Sequence, residues 1–247
     1  MLDQVTVGET QIFLYIAQNR MTDAVNKGLQ VLDMLDINLE KEPPQRIVIE
    51  EIPQLPHMTD PHKIAALRVL MSMISPVYVT EPAMYTSIIF TMVKLSLQYG
   101  NSHYSVYSYI IYGMLLSCVI GKDIEVGYRF AGMGLQFIEQ LKAKGLQCKA
   151  EVTFNSVIKH WKQHGRDTIE ALQNSVQTGM ESGDIEYACH GASLYGFQSV
   201  LVGLPLDSIA HRLDQYMEIL RKFKQEYQLN ATRIIRQTVS NLSLIHI

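Results

Sequence analysis

The 247-residue sequence predicts an all-α protein, a right-handed superhelical array of antiparallel helix pairs. Three observations predict it. Apolar residues recur at helical spacing, most clearly at Ala150, Phe154, Val157, Ile158 and Trp161, with Asn155, Lys159, Lys162 and Gln163 on the opposite side. No segment alternates apolar and polar residues between hairpin turn residues, as a half-buried strand would. Finally, periodic runs of about 15 to 20 residues are separated by turns of about two to six that carry capping or breaking residues.

In chain order, Thr10–Gln18 reads as a short helix, and Asn19-Arg20-Met21 as the turn into a second helix over Thr22–Leu35. Thr22 is the candidate cap, and the small residues Ala24 and Gly28 offer a face that another helix can approach. Pro43, Pro44, Pro53 and Pro56 then break the pattern, leaving Gln45–Glu51 for one short helix. Residues 41–59 therefore read as a proline-rich joint between an N-terminal helix pair (1–40) and the main array (60–242).

Asp60-Pro61 and Thr80-Glu81-Pro82 are helix starts, a capping position followed by proline at the first helical residue. The first of these helices should end near Ile74, because Pro76 follows. The second carries Tyr85, Ile88, Ile89, Met92 and Val93 on one face and reaches Tyr99, with Gly100-Asn101 as its end. His103–Ile120 is apolar nearly all round and reads as a buried central helix. Its run from Ile110 to Ile120, about eleven residues, is too short to span a bilayer. Asp123 and Glu125 open a helix over Ile124–Leu141. The 150–164 helix, Asp167–Ser182, Ile185–Val202 and Asp207–Tyr227 follow, and a last helix starts near Asn230. Segments starting near His103, Cys148 and Ile185 lie about 37 to 45 residues apart, in the range of two-helix repeats such as tetratricopeptide units. Asn19–Ala24, Lys122–Gly127 and Gly183–Ala188 echo one another weakly as a turn followed by a small residue.

A formal net charge of −3 with both signs interspersed gives no footprint for a polyanion, so no nucleic-acid partner is expected. Hydrophobic residues make up 47% and charged residues 18% of the chain, a packed rather than a disordered composition. Cys118, Cys148 and Cys189 are odd in number and far apart, as reduced thiols of a cytoplasmic protein are. Met1-Leu2-Asp3-Gln4 has no basic or apolar leader, so neither a signal peptide nor a membrane partner is expected.

Each motif with chemical potential is outweighed by a structural reading. His160 and His164 have the i, i+4 spacing of metal ligands, but Trp161 stands where a zincin has glutamate and no third ligand is identifiable. Gly121-Lys122-Asp123 lacks the hydroxyl residue and upstream glycine of a phosphate loop. Tyr104, Tyr107, Tyr109 and Tyr112 with Met114 read as core rather than ligand pocket. No catalytic, cofactor-binding or metal-ligating residue is assigned, and no cofactor is expected. Trp161, the single tryptophan, is expected in the core.

The combination of Asn101-Ser102 before the tyrosine-rich helix, Gly127-Tyr128-Arg129-Phe130-Ala131, Cys148-Lys149-Ala150, Phe154 through His164, and Gly183-Asp184-Ile185-Glu186-Tyr187-Ala188 resembles a known family. It is similar to the tetratricopeptide-like helical-repeat region of bacterial multidomain sensor kinases. These carry serine/threonine-kinase-like, AAA-type ATPase, GAF and histidine-kinase modules. The resemblance implies a non-catalytic scaffold that couples an ATPase or kinase module to sensor and output domains, with neighbouring domains of the same polypeptide and another protein as partners. The alternative is a ligand- or protein-sensing helical domain of an ATPase-type transcription regulator; a metal-dependent hydrolase ranks behind both. No catalytic motif of the family is present, so no catalytic residue carries over. Residues 243–247 depart from the family pattern and are expected to be a non-native tail on a fragment.

Overall fold

The computed structural model describes residues 1–245; most of the described residues are helical, and no strand is among them. Residues 246 and 247, the end of the expected non-native tail, lie outside the described residues. Eleven α-helices among the described residues follow in order: α1 Leu2–Ala17, α2 Met21–Met34, α3 Pro61–Thr80, α4 Pro82–Tyr99, α5 His103–Cys118, α6 Ile124–Gln140, α7 Gln147–Thr153, α8 Ile169–Ser182, α9 Ile185–Leu201, α10 Leu206–Lys222 and α11 Glu226–Ile245. Each packs on its neighbours in the chain, and the odd-numbered helices also touch one another in succession from α1 to α11.

α1 starts eight residues before the expected Thr10. Its buried face is Val5, Gly8, Glu9 and Ile12, where a glycine and a glutamate interrupt the apolar pattern. Gly8 lies so close to α2 that a Cβ there would sit 2.5 Å from Val31 Cγ2. Glu9 is tolerated because Arg68 Nε of α3 lies 2.7 Å from its carboxylate. α2 begins at Met21 with Arg20 as its cap residue, so Thr22 is not the cap.

α3 corrects the expectation that Pro76 ends the helix: it continues to Thr80 with Pro76 inside. Proline removes one backbone bond and costs about 3 kcal/mol in a helix interior. Val69, Leu70 and Met73 before it and Val77 after it are fully buried. Burying such side chains contributes about 1.5–3 kcal/mol each, which outweighs the interruption. α3 is also long and apolar enough to cross a membrane by length and composition, with half of that stretch buried within the protein. Asp60 starts it as anticipated, its carboxylate accepting from the backbone N–H of His62 at 2.8 Å and of Lys63 at 3.3 Å.

Between α2 and α3 the chain forms a 3-10 turn at Ile49–Gln54, later than the anticipated 45–51. Asn101 ties this segment to the α4–α5 turn: its Nδ2 donates to Ile52 O at 2.8 Å, and Tyr109 Oη donates to its Oδ1 at 2.7 Å. Gly100 makes the approach possible, at φ +99° and with Pro56 O where a Cβ would be. Ile52 and Met58 are buried in the same core as α1–α7.

α5 and α6 approach each other closely. Gly113 and Gly127 face each other, and a Cβ on either would lie 2.5 Å from the other's carbonyl oxygen. Tyr109, Tyr112, Phe130 and Phe137 fill the space beside this seam, mostly edge to face. One core runs from Val5 through Ile158 and takes in Tyr187. A second, around Leu172, Ile209 and Leu213, holds α8 to α11 together with a third small cluster. The turn before α11 falls at Phe223–Gln225 rather than near Asn230, with Lys224 at φ +54°. Neither glycine nor proline marks it in the sequence.

The largest departure concerns residues 150–164, which are not one helix. α7 ends at Thr153, a π-helical turn spans Phe154–Ile158, and a 3-10 turn spans Lys159–Trp161. A π turn inserts one residue, which rotates everything after it by about 100° relative to a continuous α-helix. Ala150, Phe154 and Ile158 remain buried, but Trp161 is 47% exposed. The expectation that Trp161 belongs to the core is therefore corrected.

Candidate functional site

Two polar features lie on this framework. The first runs across the successive odd-numbered helices. Glu9 of α1 pairs with Arg68 of α3, and burial still holds its carboxyl above the usual range. Tyr104 and His103 of α5 lie near Arg68, with ring centroids 3.9 Å apart. Burial raises the phenol and lowers the imidazole, Arg68 opposing the first shift and adding to the second.

Farther along, Ser75 Oγ of α3 donates to Glu186 Oε1 of α9 at 2.6 Å. The hydroxyls of Tyr107 on α5 and Tyr187 on α9 are 2.8 Å apart. Lys149 Nζ of α7 sits 4.5 Å from the Tyr187 ring centroid and 5.4 Å from that of Tyr107, a cation–π arrangement. His190 Nε2 of α9 lies 3.3 Å from Gln228 Nε2 of α11. Burial lowers the His190 imidazole against the opposing pull of Glu186. It also raises Asp184, which caps α9 through the Tyr187 N–H, with Lys149 acting the other way. These contacts link α3, α5, α7, α9 and α11 side chain to side chain.

The second feature is a groove of about 480 Å³ where α6, α7 and α8 meet at the π turn. Leu135, Ile138, Phe154 and Ala171 form its apolar wall; Glu139, Gln147, Glu151, Asn155, Lys159 and Asn174 supply polar groups. Asn155 is only 6% exposed, and its Nδ2 donates to Glu151 O at 2.8 Å. Nothing in the hydrophobic pattern marks this groove, because the π turn that creates it leaves the sequence spacing unchanged.

The residues weighed in the sequence are placed as follows. His164 lies outside any α-helix, its Nδ1 accepting from Arg166 N at 3.1 Å to cap a 3-10 turn, while His160 stacks beside Trp161. The helical i, i+4 geometry of a ligand pair is thus not formed. Among the described residues no group of three or more His, Cys, Asp or Glu side chains is gathered for a metal. Lys122 adopts φ +51° in the turn before α6, and Asp123 caps that helix through Val126 N at 3.0 Å. Tyr107, Tyr109 and Tyr112 are buried and Tyr104 is half-buried. Burial pushes the Cys148 thiol up to about 12 and Cys189 up to about 11, so neither is a thiolate at neutral pH. Cys118 is exposed.

No family model matches the chain. Over 166 residues, 66% of its length, the chain is 25% identical to the hybrid signal transduction histidine kinase G of Dictyostelium discoideum. The chain spans 5% of the length of that relative. A helical chain distantly similar to a small part of a signalling histidine kinase is what the comparison supports.

Proposed function

We propose that this chain is a non-catalytic scaffold and protein-interaction region of a large signalling kinase, coupling an ATPase or kinase module to sensor and output domains. The observation that carries the reading is the distant similarity to a hybrid histidine kinase of which the chain spans only 5%. Helices that pack in chain order, with the odd-numbered ones in contact from end to end, support a tetratricopeptide-like, right-handed superhelical array. In such an array each unit touches only its neighbours, so strain at one end is passed on through successive interfaces. Of the polar links, His190–Gln228 ties consecutive helices of the row, α9 and α11, whereas Ser75–Glu186 and Tyr107–Tyr187 reach α9 directly from α3 and α5, beyond the neighbour-only pattern of a simple array. Its partners are the neighbouring domains of the same polypeptide and another protein, in the cytoplasm.

Deleting residues 60–242 from the parent reading frame tests this. The kinase or ATPase module should still turn over ATP but lose its response to stimulus, measured as autophosphorylation with and without the stimulus. Unchanged stimulus dependence, or ATP hydrolysis by the purified 247-residue chain, would overturn the reading.

A further inference from the structure

We propose that residues 36–51 are a displaceable strap over a docking surface on α4 and α6. An extended segment of a partner protein with the strap's own pattern, aliphatic-x-aliphatic-Glu occurring twice, takes its place. The inference stands on the contacts of this segment rather than on the kinase context, and its test on the isolated chain can fail without touching that reading.

The strap repeats one short pattern. Ile37-Asn38-Leu39-Glu40 and Ile47-Val48-Ile49-Glu50 stand ten residues apart, with Pro43-Pro44 between them. Side chains two apart on an extended chain point to the same side. Ile37, Leu39, Ile47 and Ile49 accordingly pack on the main core. The glutamate after each pair meets a cation of a different helix. Glu40 Oε1 lies 2.5 Å from Lys94 Nζ of α4, and Glu50 pairs with Arg129 of α6. Thr91 of α4 serves the main chain, its buried Oγ1 accepting from the Glu40 N–H at 2.8 Å. The helices thus offer two equivalent subsites, an apolar patch beside a cation, to a chain that lies across them.

These contacts are shallow. Leu35 and Ile52 anchor the two ends in the core, but none of residues 36–51 is buried. Among the described residues, the Glu40 N–H is the only main-chain group from Asn38 to Ile47 that is hydrogen-bonded. The two prolines have no N–H to pair, which suits an extended chain held by its side chains. Both ion pairs reach solvent, where such pairs hold weakly. A segment with no buried side chain and one main-chain bond opens more readily than the helices beneath it. Lifting it leaves Lys94, Arg129, the Thr91 acceptor and the apolar patches without partners. The strap carries five carboxylates against two cations, so its competitor is acidic as well as aliphatic. Using a main-chain N–H together with side chains at this spacing requires a polypeptide.

The probe is a fluorescein-labelled peptide of residues 36–51, read by anisotropy on the 247-residue chain. The built-in strap competes at an effective concentration of about a millimolar, so the wild type should bind the peptide weakly. Leu39→Ser with Ile49→Ser loosens the strap and should tighten peptide binding about tenfold. Glu40→Lys with Glu50→Lys repels the strap from Lys94 and Arg129 without touching an apolar contact. It should give a similar gain, and it decides the matter should the serine pair not fold. Adding Lys94→Glu with Arg129→Glu to either variant should abolish binding. Lys162→Glu, at a cation paired with Glu125 and outside the strap's contacts, should leave binding unchanged. Peptide binding no tighter in the loosened variants than in wild type, full affinity after Lys94→Glu with Arg129→Glu, or an equal loss with Lys162→Glu would overturn the proposal.

Discussion

Replacing Gly127 by alanine should destabilise the protein, and replacing Gly132, five residues farther along the same helix, should stabilise it. At Gly127 the added Cβ would lie 2.1 Å from Ser117 Oγ, 2.5 Å from Gly113 O and 2.9 Å from Ser117 N. Carbon atoms in good contact sit about 3.5–4.0 Å apart, so α5 and α6 would have to separate by on the order of 1 Å. Two of the three obstacles are backbone atoms, and the third, Ser117 Oγ, is buried and bonded to Gly113 O at 2.9 Å. Neither can swing aside. Overpacking costs about 1–3 kcal/mol, and the obstruction here belongs at the upper end of that range. Relieving the backbone entropy of a mid-helix glycine returns about 0.5–1 kcal/mol, leaving a net loss of about 2 kcal/mol. A Cβ on Gly132 would meet nothing within 4 Å, so there the entropy term acts alone. For a chain of this size, about 2–4 °C per kcal/mol translates these values into a Tm drop of about 4–8 °C for Gly127→Ala and a rise of about 1–4 °C for Gly132→Ala. Thermal unfolding followed by circular dichroism reads both. Shifts of the same sign in the two variants, or a Gly127→Ala protein as stable as wild type, would refute the close α5–α6 approach.

Two further outcomes follow from the same geometry. Trp161→Ala should cost less than about 1 kcal/mol in urea unfolding, because the ring is 47% exposed and its Nε1 bonds only to Val157 O of its own turn; a loss of about 3 kcal/mol or more would place it in the core. Stability should fall as pH drops below 6.5, the ordinary histidine value, where the unfolded chain takes a proton that buried His190 resists, and the loss should end once the folded pKa is passed. Glu186, Asp184, Lys149 and Gln228 face that imidazole, and His190→Gln should flatten the pH dependence relative to wild type; an identical profile in the variant would assign the loss to other groups.

Much of the architecture was legible because its signals are local. Asp60 and Asp123 announced helix starts through side chains that bond to nearby N–H groups. The echo among residues 19–24, 122–127 and 183–188 proved to be one shared turn. A residue with positive φ (Asn19, Lys122 or Gly183) precedes the cap, and a small residue falls in the first turn of the next helix. Misreadings arose where long-range burial overrode a local rule. Pro76 did not stop α3, because apolar side chains on both sides of it are buried. α1 began early, because its buried face uses Gly8 and an ion-paired Glu9 in place of aliphatic residues.

The candidate site was almost invisible for the same reason. Lys149 and Glu186 stood in the sequence only as parts of the family-like segments, and what brings them to His190 is contact among α7, α9 and α11 rather than sequence spacing. Asn155 was assigned to the solvent side of a regular helix, since periodicity assumes 3.6 residues per turn throughout.

Composition, helical spacing and capping chemistry were enough to determine that this protein is built of helices, and roughly where each begins. Those properties depend on residues within a turn or two of one another. Whether a proline interrupts a helix, whether two glycines mark a seam, and whether Trp161 or Asn155 faces the interior were decided only by tertiary packing. A single π turn reverses the assignment of Trp161, because one inserted residue rotates every later side chain without altering any spacing in the sequence.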